Sequence, residues 1–245
     1  MIILGALVIV GVGAPWIAPN DPLKQSLPLR SSKPFYQDES PYLLGGDHVG
    51  RDVFSRGIHG ARISLTVMVV AMSAGMIIGT TLGLVSGYAG GVIDEVITRI
   101  VDVWLGFPFL LLALVIAITV GASFTVVMFL MVLLAWSGFV RNVRADVLLL
   151  KESDYVASAK IAGASTSRIL FRHILPGTVG TVTVIASLSV GSLILAEATL
   201  SFLGAGIPSP TPSWGNMVAE DVTISRQPGG HPRFLGPLSS SPLCL

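Results

Sequence analysis

The sequence predicts an all-α integral membrane protein, and its composition and its charge-free stretches carry that prediction. Hydrophobic residues make up 52% of the 245 residues and charged residues only 12%, about half the share that soluble domains carry. Residues 63–93 and 103–140 contain no Asp, Glu, Lys or Arg. About 20 consecutive apolar residues cross the hydrocarbon core as a helix. Since lipid offers the backbone no hydrogen-bond partners, each crossing must be helical.

We expect about five transmembrane helices, and the first two are the simplest to place. Residues 1–18 carry no charge and form the first span. A signal peptide is the alternative for this segment, but it lacks the basic start that such peptides need. The second span covers residues 63–93 and ends near the glycine pair at 90 and 91.

The other three spans follow from residue 103 onward. Residues 103–140 are long enough for two crossings that fold back at Gly121, with a kink near Pro108. The fifth span runs from about residue 178 to 198 and is rich in Gly, Ser, Thr and Ala. Small residues let helix backbones approach closely in lipid, so we expect this helix to be packed inside a bundle.

Residues 19–62 form a polar segment between the first two spans. Its first half holds four prolines and no hydrophobic period, which predicts a loop. In its second half, Val53, Phe54 and Ile58 are interspersed with Arg51 and Arg56. That pattern is typical of a short amphipathic helix, which we place at the membrane surface. Basic residues are spread too evenly among the loops for the positive-inside rule to orient the chain.

Residues 154–176 interrupt the apolar sequence between the last two spans. They carry four basic side chains: Lys160, Arg168, Arg172 and His173. Gly163 is expected to end a first short helix, as glycine commonly does, and Pro176 to end a second one. We predict a helix–Gly–helix elbow that stands out of the membrane and docks onto a partner, because loops that only connect two spans are short and unpatterned.

The two short helices of this elbow also have residues suited to their starts. Ser153 or Asp154 can cap the first helix, and Ser165 or Thr166 can cap the second. Each of these side chains can accept a hydrogen bond from an unpaired backbone N–H of the first turn.

The elbow resembles the coupling loop, or EAA motif, of ABC-importer permeases. That motif reads E-A-A, three residues, G, nine residues, I-x-L-P, and the chain matches its Gly, Leu and Pro at the same spacing. Ala157 stands in place of the acid and His173 in place of the isoleucine. The resemblance implies that the elbow couples the chain to an ATPase. The residues implied in that coupling are Ala157, Ser158, Ala159, Gly163, Ala164, Arg168, Leu175 and Pro176.

Three further stretches resemble the second, C-type permease of dipeptide and oligopeptide importers. They are residues 44–65, 87–108 and 194–217, and they occur in the family's order. The resemblance implies a permease that moves peptides by alternating access across the cytoplasmic membrane of a bacterium or an archaeon. Importers of nickel or glutathione share this permease type and remain alternatives. The N-terminus and the coupling loop would lie in the cytoplasm, and residues 19–62 outside.

The family also implies a set of partners. They are a homologous second permease, two cytoplasmic ATPase subunits, an extracytoplasmic substrate-binding protein and the lipid bilayer. ATP and Mg would be bound by the ATPase subunits, since this sequence has no G-x-x-x-x-G-K-[ST] phosphate loop. We therefore expect no enzymatic activity, no catalytic residue and no cofactor on this chain. No basic run with interleaved aromatics indicates binding of nucleic acid.

The sequence departs from the family at both ends. The family has six spans and a basic cytoplasmic tail before the first, whereas this sequence begins within a span. We assign residues 63–206 to the permease core and 207–245 to an extracytoplasmic segment, whose tail turns rich in Pro, Gly and Ser from about residue 222. That tail has no apolar window long enough for a sixth span. A change of reading frame near Gln227 is favoured over a natural tail, because the composition switches abruptly.

Glu197 is the one acid within a predicted span or at its outer edge. Acids in such places are functional candidates by default, so a role in substrate passage or gating stands beside hydrogen bonding at the interface or between helices. A secondary transporter working alone would need several intramembrane charges along its path. The four histidines have no acid or cysteine at ligand spacing, so we expect no metal site.

Overall fold

The structure, a computed structural model, describes residues 2–34 and 41–225. Within those ranges the regular structure is helical, and the β-type pairing is limited to an isolated bridge between Gly46 and Asp52. The all-α class predicted from the composition is confirmed. The described helices are α1 (Ile2–Ile17), α2 (Val53–Ala89), α3 (Gly91–Gly106), α4 (Phe109–Val120), α5 (Phe124–Leu150), α6 (Asp154–Ile161), α7 (Thr166–Arg168), α8 (Leu175–Phe202) and α9 (Trp214–Ser225), with a 3-10 turn at Leu27–Leu29.

Three helices are long and apolar enough to cross a membrane: α2, α5 and the continuous helix Thr166–Phe202. A fourth candidate is the pair α3 and α4, which is bent by 82°. α1 has 16 residues and α4 has 12, so they are about 24 Å and about 18 Å long, short of the ~30 Å hydrocarbon core. By length and apolar composition, the described residues supply three spans, or four with the bent pair, where about five were expected.

Both predicted breaks between residues 103 and 140 are present. α3 ends at Gly106, and Phe107 is extended (φ −89°, ψ 132°), because a residue that precedes proline avoids the helical region. The expected kink at Pro108 is thus the 82° bend. The second break follows Gly121, whose φ of +97° is a conformation that glycine adopts without strain.

The short amphipathic helix expected before the second span is not a separate element. α2 begins at Val53 and continues to Ala89, and no proline interrupts this stretch. Asp52 precedes the helix and accepts a hydrogen bond from the Phe54 N–H. Arg51 and Arg56, expected at the membrane surface, are 3% and 2% exposed. Their charges are neutralised inside the protein.

The described residues form two compact units. The first comprises residues up to 67, residues 117–127 and residues from 196 onward; the second comprises residues 68–116 and 128–195. The elbow lies wholly in the second unit. The predicted Pro/Gly/Ser-rich tail falls outside the described residues from 226, and the structure continues α9 through the first residues of that segment, to Ser225.

Within the second unit, glycines let α2 pack directly on α5. Gly75, Gly79, Gly83 and Gly87 recur at every fourth residue, and an added Cβ at any of them would collide with α5. At Gly83 that Cβ would lie 2.9 Å from the Val140 carbonyl oxygen. This small-residue seam joins the two helices.

The surface of α8 is largely exposed, although its small residues predict close packing. Only 6% of its apolar window is buried, against 44% for α2 and 39% for α5. The expectation that this helix is packed inside a bundle is wrong for the described chain alone. The small residues make close approach possible, but within the described residues no other helix of this chain covers most of that surface.

Candidate coupling surface

The elbow turns at Gly163. α6 ends at Ile161, and Gly163 takes a φ of +77°. The Ala164 N–H donates to the Ala159 carbonyl, and the Gly163 N–H donates to the Lys160 carbonyl. This pair of bonds is the Schellman motif, which satisfies two carbonyls that a helix end otherwise leaves unpaired. The predicted role of Gly163 as the residue that ends the first helix is confirmed.

The helix starts in the elbow have the predicted residues but not the predicted hydrogen bonds. Ser153 and Ser165 are the N-cap residues, both with extended backbone, and neither side chain bonds to an N–H of its helix. The Ser153 hydroxyl instead donates to the Leu150 carbonyl. The side chain of Ser153 therefore ties the start of α6 to the end of α5.

The second helix of the elbow does not end at Pro176, so that expectation is wrong. The chain remains helical from Thr166 to Phe202, through a π-helical stretch at Ile169–Ile174. The Leu175 N–H donates to the carbonyl of Leu170, five residues earlier. Because Pro176 has no N–H to donate, the wider turn before it changes the bonding register without breaking the helix.

The inner face of the elbow is an apolar core shared with α2 and α5. Val156, Ile169 and Ile174 are almost completely buried, and they pack with three further side chains: Leu84, Val143 and Val147. Each such side chain contributes about 1.5–3 kcal/mol when it is fully buried. The elbow is thus a folded part of the second unit, seated on two candidate spans.

Two basic side chains add polar links between the elbow region and the end of α2. The Lys151 ammonium donates to the Gly87 carbonyl at 3.2 Å. The Lys160 ammonium lies 5.6 Å from the centre of the Tyr88 ring, within range of a cation–π interaction.

The outer face of the elbow combines exposed apolar and basic side chains. Ile161 is 89% exposed, and Tyr155 and Phe171 are also exposed. Arg168 and Arg172 lie at the margins and are exposed as well. Exposed apolar side chains clustered beside basic ones are typical of a surface that another protein covers.

The residues predicted from the motif divide between these two faces. Ala159, Ala164 and Leu175 are half-buried and pack against the apolar core. The exposed members are Ala157, Ser158, Gly163, Arg168 and Pro176. The motif did not indicate Ile161 or Phe171, which are the most exposed large apolar side chains here; the helical period of the elbow could have found them. The coupling role itself remains a prediction.

Glu197 lies in the first unit and is 1% exposed. Its carboxylate accepts hydrogen bonds from the Ser64 hydroxyl of α2 at 3.0 Å and from the Ser201 hydroxyl of α8 at 2.9 Å. Ser201 in turn accepts from the Ile207 N–H. Glu197 is therefore a hydrogen-bonding centre between helices, one of the two roles considered for it, and its part in gating stays a prediction.

A buried ionic cluster in the first unit escaped the sequence analysis. Arg56 donates to Asp47 at 2.6 Å and to Glu220 at 2.8 Å, and Arg51 bonds to the same two carboxylates. Burial raises the pKa of Asp47, but hydrogen bonds from Arg51 and Val49 outweigh it, so the pKa lies below its ordinary value. No local signal pairs residues more than 160 positions apart.

The same cluster bears on the expected lack of a metal site. Ligand atoms of Asp47, His48 and Glu220 lie within 4.8 Å of one another, although Glu220 is remote in sequence. Both carboxylates already accept hydrogen bonds from the guanidinium groups of Arg51 and Arg56. A cation would have to displace those bonds, so this arrangement suits ion pairing better than metal binding.

Comparison with known proteins places the fold in a family. Residues 79–236 match the family described as the binding-protein-dependent transport system inner membrane component. The matched range includes the whole elbow and α8.

Individual relatives are permeases of peptide and glutathione systems. The chain is 38% identical over 222 residues to the dipeptide transport system permease protein DppC of Bacillus subtilis (strain 168), covering 91% of this chain and 68% of that protein. Over the same length it is 36% identical to the oligopeptide transport system permease protein OppC of that strain, covering 72% of it. It is 41% identical over 215 residues to the glutathione transport system permease protein GsiD of Escherichia coli O157:H7, covering 87% of this chain and 70% of that protein. The chain therefore belongs to the binding-protein-dependent inner membrane components, as a multi-pass ABC-importer permease of the dipeptide/oligopeptide family.

Proposed function

We propose that the chain carries di- and oligopeptides across the cytoplasmic membrane of a bacterium or an archaeon, as the C-type permease of an ATP-driven importer. The names of the related DppC and OppC proteins support the substrate class. The observation that carries the coupling mechanism is the elbow, whose apolar inner face is seated on two candidate spans and whose outer face is left open.

The elbow transmits the motion of two cytoplasmic ATPase subunits, which bind ATP and Mg. The two subunits close on ATP, and the exposed Ile161 and Phe171 follow the ATPase surface that covers them. The force passes into α5 through the shared core at Val143 and Val147. It passes into α8 directly, because the chain stays helical from Thr166 to Phe202.

α8 provides the surface for the second permease subunit and for the substrate path. Its apolar window is almost entirely uncovered, and the exposed face mixes hydroxyl and small side chains such as Ser187 and Thr183 with apolar ones. Peptide backbones need hydrogen-bonding groups along a path, and small residues allow a second helix to approach. Glu197 would affect gating through its links to α2. A substrate-binding protein delivers peptide on the outer side, where we place residues 19–62.

The experiment that tests this function replaces Ile161 with Asp. A buried charge without a partner is strongly unfavourable at an interface, so Ile161→Asp should abolish co-purification of the ATPase subunits with the permease pair. Peptide uptake by proteoliposomes with the complete system should fall with it. The matched control for ATPase binding is Leu27→Asp, because Leu27 is 79% exposed but lies in the first unit. Retained ATPase binding and uptake in Ile161→Asp would contradict the assignment of the elbow.

The permease should also depend on its partners for energy. The purified chain is expected to show no ATP hydrolysis, and the ATPase subunits should supply all of it. ATP turnover by this chain free of partners would count against its place as a transporter subunit.

Glutathione is a second candidate substrate, because the chain is 41% identical to GsiD. Glutathione is itself a small peptide with a γ-linkage, so the same path could accept it. Competition decides between the two: unlabelled glutathione in excess should leave the uptake of a labelled dipeptide unchanged if peptides are the substrates. Strong inhibition, with uptake of labelled glutathione, would favour the glutathione system.

A further inference from the structure

A charged node in the second unit joins three helices. The Arg144 guanidinium of α5 donates two hydrogen bonds to Asp94 of α3, the longer of them 2.7 Å between Nη2 and Oδ2. The Ser86 hydroxyl of α2 donates to the same carboxylate, and so does the Thr98 hydroxyl, weakly, at 3.5 Å. Two parallel bonds fix the orientation of both partners more strictly than one bond would.

This node lies on the helix segments that support the elbow. Leu84, which packs in the elbow core, is two residues before Ser86 on α2, and Val143 in the same core is next to Arg144 on α5. The core and the node therefore occupy different faces of the same two helix segments. A movement of the elbow that shifts these segments must also move Ser86 and Arg144.

α3 buries little of its own apolar surface. Among its described residues only Val101 is buried. Its links to α5 also include the exposed Asp102–Arg141 ion pair at 3.1 Å and the contact of the rings of Trp104 and Trp136. With so little apolar burial, the position of α3 relies on these polar contacts.

The neighbouring ion pair on α3 provides an internal contrast. Glu95 and Arg99 are 3.6 Å apart, and both side chains are more than two-thirds exposed. The side chains of Asp94 and Arg144 are only 16% and 31% exposed. Exposed pairs on one helix contribute little because water screens them, whereas a partly buried bidentate pair between helices fixes their relative position.

We propose that the Asp94–Arg144 pair, held by Ser86, is a positioning joint that makes α3 follow the elbow-bearing segments of α2 and α5. Motion that enters at the elbow then reaches the bend between α3 and α4. Asp94 and Arg144 act through helix positions and touch neither ATP nor substrate. This inference rests on the proposed function for its transport consequences, but the joint itself can be measured without transport.

The direct test measures the distance between spin labels on α3 and beside the elbow, between α5 and α6. Val96→Cys and Glu152→Cys both place labels at exposed positions, and Cys244→Ser removes the native cysteine. With the joint intact we expect one narrow distance distribution. Asp94→Asn or Arg144→Gln should at least double its width, and the reversed pair Asp94→Arg with Arg144→Asp should narrow it again. The proposed joint would be contradicted if the distance distribution kept its width in both single variants. It would also be contradicted if the control Glu95→Gln broadened the distribution equally.

The transport test uses the complete importer in proteoliposomes. In Asp94→Asn we expect peptide uptake per ATP hydrolysed to fall about tenfold, while binding of the ATPase subunits stays within about twofold of the unmodified complex. Ser86→Ala, a milder change, should lower the ratio about two- to threefold. If the unmodified complex takes up no peptide, the proposed function fails and the label distances still decide the joint. If it transports and the ratio is unchanged in all variants, only the joint is wrong.

Discussion

Replacing Gly163 should uncouple the elbow through backbone conformation alone. Its φ of +77° lies in the left-handed region, and an added Cβ would meet nothing within 4 Å. Steric contact with the rest of the chain therefore contributes nothing to the effect. An L-residue pays roughly 1–2 kcal/mol for this conformation, and Asn tolerates it better than other residues. The expected order of damage is Val, then Ala, then Asn.

The size of the effect follows when the turn at Gly163 is treated as an equilibrium between a formed and an unformed state. A cost of about 1–2 kcal/mol reduces the ratio of formed to unformed turn about 5- to 30-fold. The Schellman bonds from Gly163 and Ala164 would open more often, so the amides of these residues should exchange hydrogen faster by the same factor. Peptide uptake per ATP hydrolysed should fall in the same order of variants.

The assay compares Gly163→Val, Gly163→Ala and Gly163→Asn with the control Gly138→Ala. Gly138 lies inside α5 and also has open space around it, but in a helix alanine is favoured over glycine by about 1 kcal/mol. The control should therefore leave the elbow's exchange rates unchanged. If Gly163→Val keeps unmodified exchange, uptake and substrate-stimulated ATP hydrolysis, the elbow only connects α6 to α7 and the reasoning fails.

Two further predictions concern stability, measured by thermal unfolding in detergent. Gly83→Ala should destabilise the protein by about 1–3 kcal/mol, as substitutions that overpack a site do. The added Cβ would lie 2.9 Å from the Val140 carbonyl oxygen. If Gly83→Ala is as stable as Gly138→Ala, α2 and α5 can separate freely and the prediction is wrong. Asp47→Asn should cost about 3–5 kcal/mol at neutral pH, since it leaves buried arginines short of a partner. The pKa of Asp47 is lowered in the folded state, so its contribution is complete above its ordinary pKa of about 4 and is lost as the pH falls through the lower folded value. The difference between Asp47→Asn and the unmodified chain should therefore shrink at acid pH, and a difference that grows there would contradict the sign.

Sequence reasoning succeeded where the cause is local. Gly163, Gly121 and Pro108 each impose a backbone conformation that depends on the residue itself and its immediate neighbours. The elbow, the break at residues 121–123 and the bend before α4 were all predicted for this reason. The 82° extent of the bend was not predicted, because a proline indicates where a helix breaks and not the angle between the two parts.

The tertiary features that the sequence analysis did not indicate depend on contacts between distant residues, with one exception. Nothing near Arg56 indicates that Glu220 will neutralise it, so the sequence placed Arg56 at the membrane surface. α9 was missed because tertiary bonds such as the one from the Trp214 indole to the Gly57 carbonyl hold it. The exception is the glycine seam of α2, whose four-residue repeat is visible in the sequence and was overlooked in favour of the small residues of α8.

The π-helical stretch at Ile169–Ile174 determines the direction in which the side chains of α8 point. A π turn holds one residue more than the α-helical path would use, and each residue advances a helix by about 100°. If every residue were kept and this stretch became a regular α-helix, the faces of α8 would rotate by about that amount. Val182, which packs against the elbow core, would then point elsewhere. Between Thr166 and Pro176, insertion of one more residue should therefore be far more harmful than deletion of one, which the wide turn can absorb by returning to the α-helical path.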